Sequence, residues 1–247
     1  MKCFVRMSQF SLTAIVVLFV TSVRADDGKK VVDPSGTWRW EHDAGGETIK
    51  DVLKLNFDGA KVTGTYKGRR NPIEIKNGKM EGDKLSCDFG VEFDGRKIVV
   101  KFKGKIKGDE VDGTVAIESD NDSREFPWKA KRSVEVSDVV GTWKMQIKTS
   151  NGNSLTPKLT LSQEDKKKKL KGIYESTNAD VKLDVKEIQV KDNQLSFIIT
   201  GEFDGNTLTA KYTVQPRGDK LSGKIGFKFN DRTGELKVKG KREKKKK

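Results

Sequence analysis

Outside the first two dozen residues, apolar positions recur at every second residue in short runs, and the runs are split by Asp-Gly, Gly-Asp and Asn-Gly. That alternation is the signature of half-buried strands joined by tight turns. Nowhere in this region does a 3.6-residue apolar period last for a helix length. In residues 35–132 the runs centre on Trp38, Leu53, Thr65, Ile75, Phe89, Val100, Val115 and Trp128. Eight such runs in series with no helix between them predict an antiparallel meander.

The pattern occurs twice. Gly36-Thr37-Trp38 returns as Gly141-Thr142-Trp143, and Glu92-Phe93-Asp94-Gly95 as Glu202-Phe203-Asp204-Gly205. Leu85-Ser86 matches Leu195-Ser196, Gly108-Asp109 matches Gly218-Asp219, and Arg132 matches Arg242. A period of about a hundred residues is too long for a solenoid unit and reads as a duplicated domain. The expected organisation is a leader over 1–25, a linker over 26–34, a barrel repeat over 35–132, a linker over 133–139, a second barrel repeat over 140–242 and a basic tail over 243–247.

Alternation assigns the faces. Trp38 and Trp40, then Leu53, Leu55 and Phe57, then Val62, Gly64 and Tyr66 point inward. Leu85, Cys87, Phe89, Val91 and Phe93 follow, with Ile98, Val100, Phe102, Val111, Val115, Ile117, Phe126 and Trp128. Eight alternating strands in sequence can close on themselves and so remove their edges. The fold expected is all-β, as two tandem eight-stranded antiparallel up-and-down barrels, with a β-sandwich meander as the alternative. Parity also turns Arg132 inward with Trp128, and Arg242 inward with Val238. In a closed meander the last strand meets the first, where the Gly-x-Trp indole stands ready for a stacked guanidinium.

Gly-x-Trp on the first strand with an Arg at the end of the eighth resembles the lipocalin (calycin) superfamily. The resemblance implies that Trp38 with Arg132, and Trp143 with Arg242, seal the closed end of each barrel, and that the open end takes a small apolar ligand. The chain lacks the family's second Thr-Asp-Tyr-type motif, its disulfide and the helix after strand eight.

Lys2 and Arg6 followed by the apolar stretch Phe10–Val23 and the small-residue pattern Val23-Arg24-Ala25 read as a secretory leader, with the mature chain starting near Asp26. The stretch is short of the roughly 20 residues of a membrane span. The expected location is periplasmic or extracellular. Cys3 leaves with the leader, and Cys87, alternating with Leu85 and Phe89, reads as a small buried apolar residue.

The chain offers little for catalysis. His42 is its single histidine, and it reads as a rim or surface residue. No nucleophile elbow, phosphate loop or cysteine cluster is present, and carboxylates such as Asp109 and Glu110 fall in turns. The reading is non-catalytic, with no cofactor and no metal.

Charge carries more. The formal net charge is +14, and its excess lies in the second repeat and the tail. Lys166, Lys167, Lys168 and Lys169 mark a hairpin tip, and parity turns Lys224 and Lys228 outward on the seventh strand with Lys237, Lys239 and Lys241 on the eighth. No acid interrupts that seventh strand. Solvated lysines keep an exported protein soluble, and the same residues could hold an anionic envelope polymer or a lipid surface. Export, and aromatic residues kept apart from the lysines, argue against nucleic acid. Two functions therefore stand: a binding module for a small apolar or amphipathic ligand, or a structural adhesion protein with filled barrels.

Overall fold

A computed structural model describes residues 31–120, 122–164, 169–176, 181–203 and 205–243. Residues 1–25, where a leader is expected, Lys166, Lys167, Lys168 and the tail lysines 244–247 lie outside the described residues.

The first repeat forms β1 (Gly36–Ala44), β2 (Glu47–Phe57), β3 (Val62–Lys67), β4 (Ile73–Glu74), β5 (Lys76–Glu81), β6 (Lys84–Phe93), β7 (Arg96–Lys107), β8 (Glu110–Ser119) and β9 (Asp122–Arg132). These make one antiparallel sheet in the order β4-β3-β2-β1-β9-β8-β7-β6-β5. Between β4 and β5, the Ile75 N–H donates to the Gly64 carbonyl at 3.0 Å, which draws the two ends of the sheet together. After a single helical turn, α1 (Val136–Val139), the second repeat follows. It comprises β10 (Gly141–Lys148), β11 (Ser154–Leu155), β12 (Lys158–Gln163), β13 (Leu170–Ser176), β14 (Val181–Lys191), β15 (Gln194–Phe203), β16 (Asn206–Arg217), β17 (Lys220–Phe229) and β18 (Arg232–Arg242).

Here β10 pairs with both β12 and β18, so the second sheet closes on itself. Counting β4 with β5 and β11 with β12 as interrupted strands, both repeats are eight-stranded up-and-down barrels. The first is nearly closed and the second closed, which excludes the sandwich. Barrel 1 joins its first strand to its last through Trp38↔Arg132 and Arg39↔Lys131. Barrel 2 does so over five pairs, from Trp143↔Arg242 to Ile147↔Val238.

The turns follow the sequence signals. Asp94 and Gly95 between β6 and β7 have φ of 50° and 72°, the pair of positive angles that a two-residue hairpin of matching twist needs. Closure also presses backbone on backbone. A Cβ built on Gly113 would stand 2.0 Å from the Lys103 carbonyl oxygen, and one on Gly223 would stand 2.1 Å from that of Thr213.

Each barrel has its own core. In barrel 1 the rings of Trp40, Phe102 and Trp128 meet edge to face at 5.0–5.8 Å, and Tyr66 stacks on Phe89 at 4.5 Å. Trp38, Trp128 and Phe102 are essentially inaccessible, so aromatic bulk fills the lower and middle barrel. Cys87 is buried in this core, and burial, with Asp88 beside it, pushes its thiol up to about 12. Barrel 2 is packed around Trp143, Met145, Phe197 and Tyr212. Parity misleads at one end only. Phe93, Ile117 and Phe126 face the inward side but are 40–47 % exposed, because their strand ends run past the packed interior to the rim.

The connection between barrels is pinned rather than loose. Asp138 in α1 takes hydrogen bonds or ion pairs from Arg39 at 2.6 Å and Lys54 at 2.8 Å. Burial would raise its carboxyl, but these cations and a backbone N–H hold it below the usual range. The β16–β17 turn docks on β2: the Asp219 N–H donates to Asn56 Oδ1 at 2.7 Å, and Asn56 Nδ2 donates back at 3.2 Å. Lys220 Nζ donates to the Phe57 carbonyl.

Candidate functional site

The closed ends are built alike. The Arg132 guanidinium carbon lies 4.3 Å from the centroid of the Trp38 ring, and that of Arg242 lies 4.1 Å from the centroid of Trp143. Each indole N–H donates to the carbonyl four residues back, Pro34 and Val139, both at 2.9 Å. Each Arg is also held by the carboxylate of a turn. Arg132 donates to Asp109 at 2.7 Å, and Arg242 Nε meets Asp219 at 3.2 Å. These acids therefore do more than decorate their turns: the repeated Gly-Asp marked a clamp on the repeated Arg. With each cation stacked on an indole and hydrogen-bonded to a carboxylate, the floors are structural in character.

The open end of barrel 1 differs. The pairing Trp40↔Asp51 and His42↔Ile49 places His42 and Asp51 on the inward face. Asp51 is 1 % exposed, and both its oxygens are used. His42 Nδ1 lies 2.6 Å from Oδ2, and the Tyr66 hydroxyl donates to Oδ1 at 2.7 Å. His42 is thus not a bare rim residue. It is the half-exposed lid of a buried carboxylate that an alternation carried two residues upstream from Leu53 would have found. Above this trio opens a cavity of about 390 Å³. Its walls are Ile49, Ile73, Phe89, Val91, Ile98 and Val100, and Arg69 and Arg70 stand at its lip. Arg69 pairs with Glu47 at 3.0 Å, and Arg70 lies over the Phe93 ring at 5.1 Å. No serine, threonine or cysteine lines it. Among the described residues, no three His, Cys, Asp or Glu side chains converge as a metal site would require.

No protein-family model and no curated protein matches this chain. Among solved structures, the chain is similar to isotype 1 transferrin binding protein B from serogroup B Neisseria meningitidis, at 13 % identity and a TM-score of 0.27. The match covers 87 % of this chain and 58 % of that one, so this chain spans less than two thirds of that protein's length. Among the described residues no helix is long and apolar enough to cross a membrane.

In barrel 2 the register replaces His42 with Ile147 and Asp51 with Pro157. Tyr174, the counterpart of Tyr66, instead accepts a hydrogen bond from the Tyr212 hydroxyl at 3.0 Å. The chain has three tyrosines, and all three are held above the ordinary phenol range. Burial is the main cause in each, reinforced by Asp51 at Tyr66 and by Tyr174 at Tyr212. A phenol raised in the folded state lends stability that is complete below the unfolded value near 10 and is lost as pH climbs toward the folded value. Ultraviolet titration should therefore show no tyrosinate step near pH 10. All three should ionise together with alkaline unfolding. One tyrosine ionising near pH 10 with far-ultraviolet dichroism unchanged would contradict these environments.

The lysines singled out from the sequence lie where parity puts them. Lys224, Lys228, Lys237, Lys239 and Lys241 are exposed on β17 and β18, and Lys169 is exposed before β13. The seventh strand of the second repeat carries no acid of its own, but Glu235, on β18 opposite Gly226, reaches diagonally to Lys224 at 2.9 Å and partners that lysine from the neighbouring strand.

Proposed function

We propose that the protein is an exported, non-catalytic binding module of lipocalin-like type that takes a small amphipathic ligand in the mouth of barrel 1. The observation that carries this is the 390 Å³ apolar cavity above the His42–Asp51–Tyr66 trio, which falls in the roughly 300–1,000 Å³ range of small-molecule sites. Its depth is limited by the aromatic layer of Trp40, Phe102 and Trp128, which favours a short apolar tail over a long one. The lip favours an anionic head. Arg69 and Arg70 are cationic, whereas Asp51, the acid beneath them, is already satisfied by two donors. The floor pairs Trp38–Arg132 and Trp143–Arg242 support the lipocalin-like assignment, and the leader-like residues 1–25 support export to the periplasm or beyond.

The test uses 11-(dansylamino)undecanoic acid as a fluorescent probe, displaced by dodecanoate. Wild type should give a saturable rise in emission. Ile98→Trp, which plugs the mouth of barrel 1, should abolish it, while Leu208→Trp at the matching place in barrel 2 should not. No saturable binding, or equal loss in both variants, would overturn the assignment to this cavity.

A further inference from the structure

The two barrels carry matching outer grooves over their first strands, and these differ sharply in charge. In barrel 1 the groove includes Arg39, Glu41, Lys50, Lys54 and Glu135. Three of its four cations are matched, Arg39 with Glu135 and Asp138, Lys54 with Asp138, and Lys50 with Glu41, and Lys67 is the fourth. In barrel 2 the groove is about 450 Å³, has Met145 and Gly240 in its lining, and is ringed by Lys144, Lys158, Lys239 and Lys241. Glu243 is the carboxylate paired there, 3.0 Å from Lys144 and 3.9 Å from Lys158. Lys237, Lys239 and Lys241 have no carboxylate partner among the described residues.

The register shows how deliberate the contrast is. Lys158 stands opposite Lys144, Lys144 opposite Lys241, and Lys241 opposite Lys220. Four lysines thus form one ladder across β12, β10, β18 and β17. Lys237 and Lys224 make another directly opposed pair. Like charges facing each other across strands destabilise a sheet. In barrel 1 the same row places Glu110 opposite Lys131, at 3.2 Å, and the next outward row places Asp112 opposite Lys129, at 3.9 Å. One repeat gives each cation of the row its own carboxylate; in the other, Lys144 and Lys158 share the single carboxylate of Glu243 and Lys241 has none among the described residues. The far end of that second row is already occupied, since Lys220 is bonded to the Phe57 carbonyl of barrel 1. The available cations are those of the groove and their continuation along β18.

We infer that this face of barrel 2 binds a linear polyanion, with Lys144, Lys158, Lys239 and Lys241 as the primary contacts. A lone small anion could be met by two lysines. This array repeats instead, about 4.8 Å across strands and about 6.7 Å along β18, where every second residue faces out. A chain that repeats its carboxylate, sulfate or phosphate groups at such intervals would neutralise the ladder along its length. The site is on the opposite barrel from the apolar cavity and does not depend on it.

The test compares two full-length variants with equal loss of charge, using dextran sulfate as the polyanion. One is K144Q/K158Q/K239Q/K241Q; the other is K101Q/K103Q/K105Q/K129Q on barrel 1. Both keep the lysines of 166–169 and 244–247. The groove variant should bind at least about tenfold more weakly and with a shallower salt dependence, because screening acts on the contacts it has lost. The barrel 1 variant should stay within about twofold of wild type. With the like charges relieved, the groove variant should also melt no lower than wild type when no polyanion is present. Equal loss in both variants would mean that net charge alone matters and would overturn the site. So would tighter binding to phosphatidylglycerol vesicles than to dextran sulfate with the same lysine dependence, since the surface would then be one for lipid.

Discussion

Trp38→Ala should cost barrel 1 about 3–5 kcal/mol, and Trp143→Ala should cost barrel 2 the same, because a buried aromatic leaves a void that its neighbours only partly fill. Both indoles are fully inaccessible, both donate to a backbone carbonyl, and both carry an Arg on one face. Each replacement therefore strands a carbonyl and a guanidinium as well as opening space. Because the two cores share no buried residue and the barrels are joined by polar contacts, those of Asp138, Asn193, Lys220, the Asp219 turn and the Arg217–Asp109 pair, calorimetry should resolve two transitions. Each variant should lower its own and leave the other nearly in place. A single transition lowered equally by either change would show that the joint couples the barrels into one cooperative unit.

Gly113→Ala and Gly223→Ala are expected to be almost as damaging, by about 3 kcal/mol each, at the upper end of what overpacking usually costs. The obstruction is backbone, not a side chain that could swing aside: Lys103 O and Gly104 Cα near one, Thr213 O and Val214 Cα near the other. To admit the methyl group, the paired strands must separate at a point where barrel curvature brings their backbones together. Gly226→Ala is the matched control. It lies on β17 only three residues from Gly223, nothing stands within 4 Å of its Cβ position, and it is exposed. There the methyl group should be neutral or stabilising by up to about 1 kcal/mol, since the unfolded chain loses freedom. Chemical denaturation of the three variants checks this; a Gly113→Ala protein as stable as Gly226→Ala would mean the strands are not so tightly apposed.

The fold was largely legible because a two-residue period and an internal repeat state the same architecture twice. Trp38 and Arg132 could be matched from parity alone, since both lie on inward faces and a meander must bring its ends together. Parity gives a side, however, and not a height along the barrel. Phe93 and Phe126 have the right side and sit at the rim. Asp51 was missed for the opposite reason: an acid invites a turn reading, and only its place two residues before Leu53 shows that it faces in. Nor could sequence tell which outward acid meets which lysine. That depends on hairpin register, which puts Glu110 against Lys131 in one barrel and Lys220 against Lys241 in the other.

The lysines of the closing strands bear on how the chain reaches this state at all. Every other strand pair joins neighbours in sequence, but the seam joins Trp38 to Arg132 and Trp143 to Arg242, a loop of about a hundred residues whose closure is slow. Until that happens, β9 and β18 are free sheet edges able to pair with another chain. Those edges carry Lys129 and Lys131, and Lys237, Lys239 and Lys241. Charge, lysine above all, is what keeps an open edge from accepting a foreign strand. The half-assembled barrel is therefore protected from aggregation along the very strand that must wait longest for its partner.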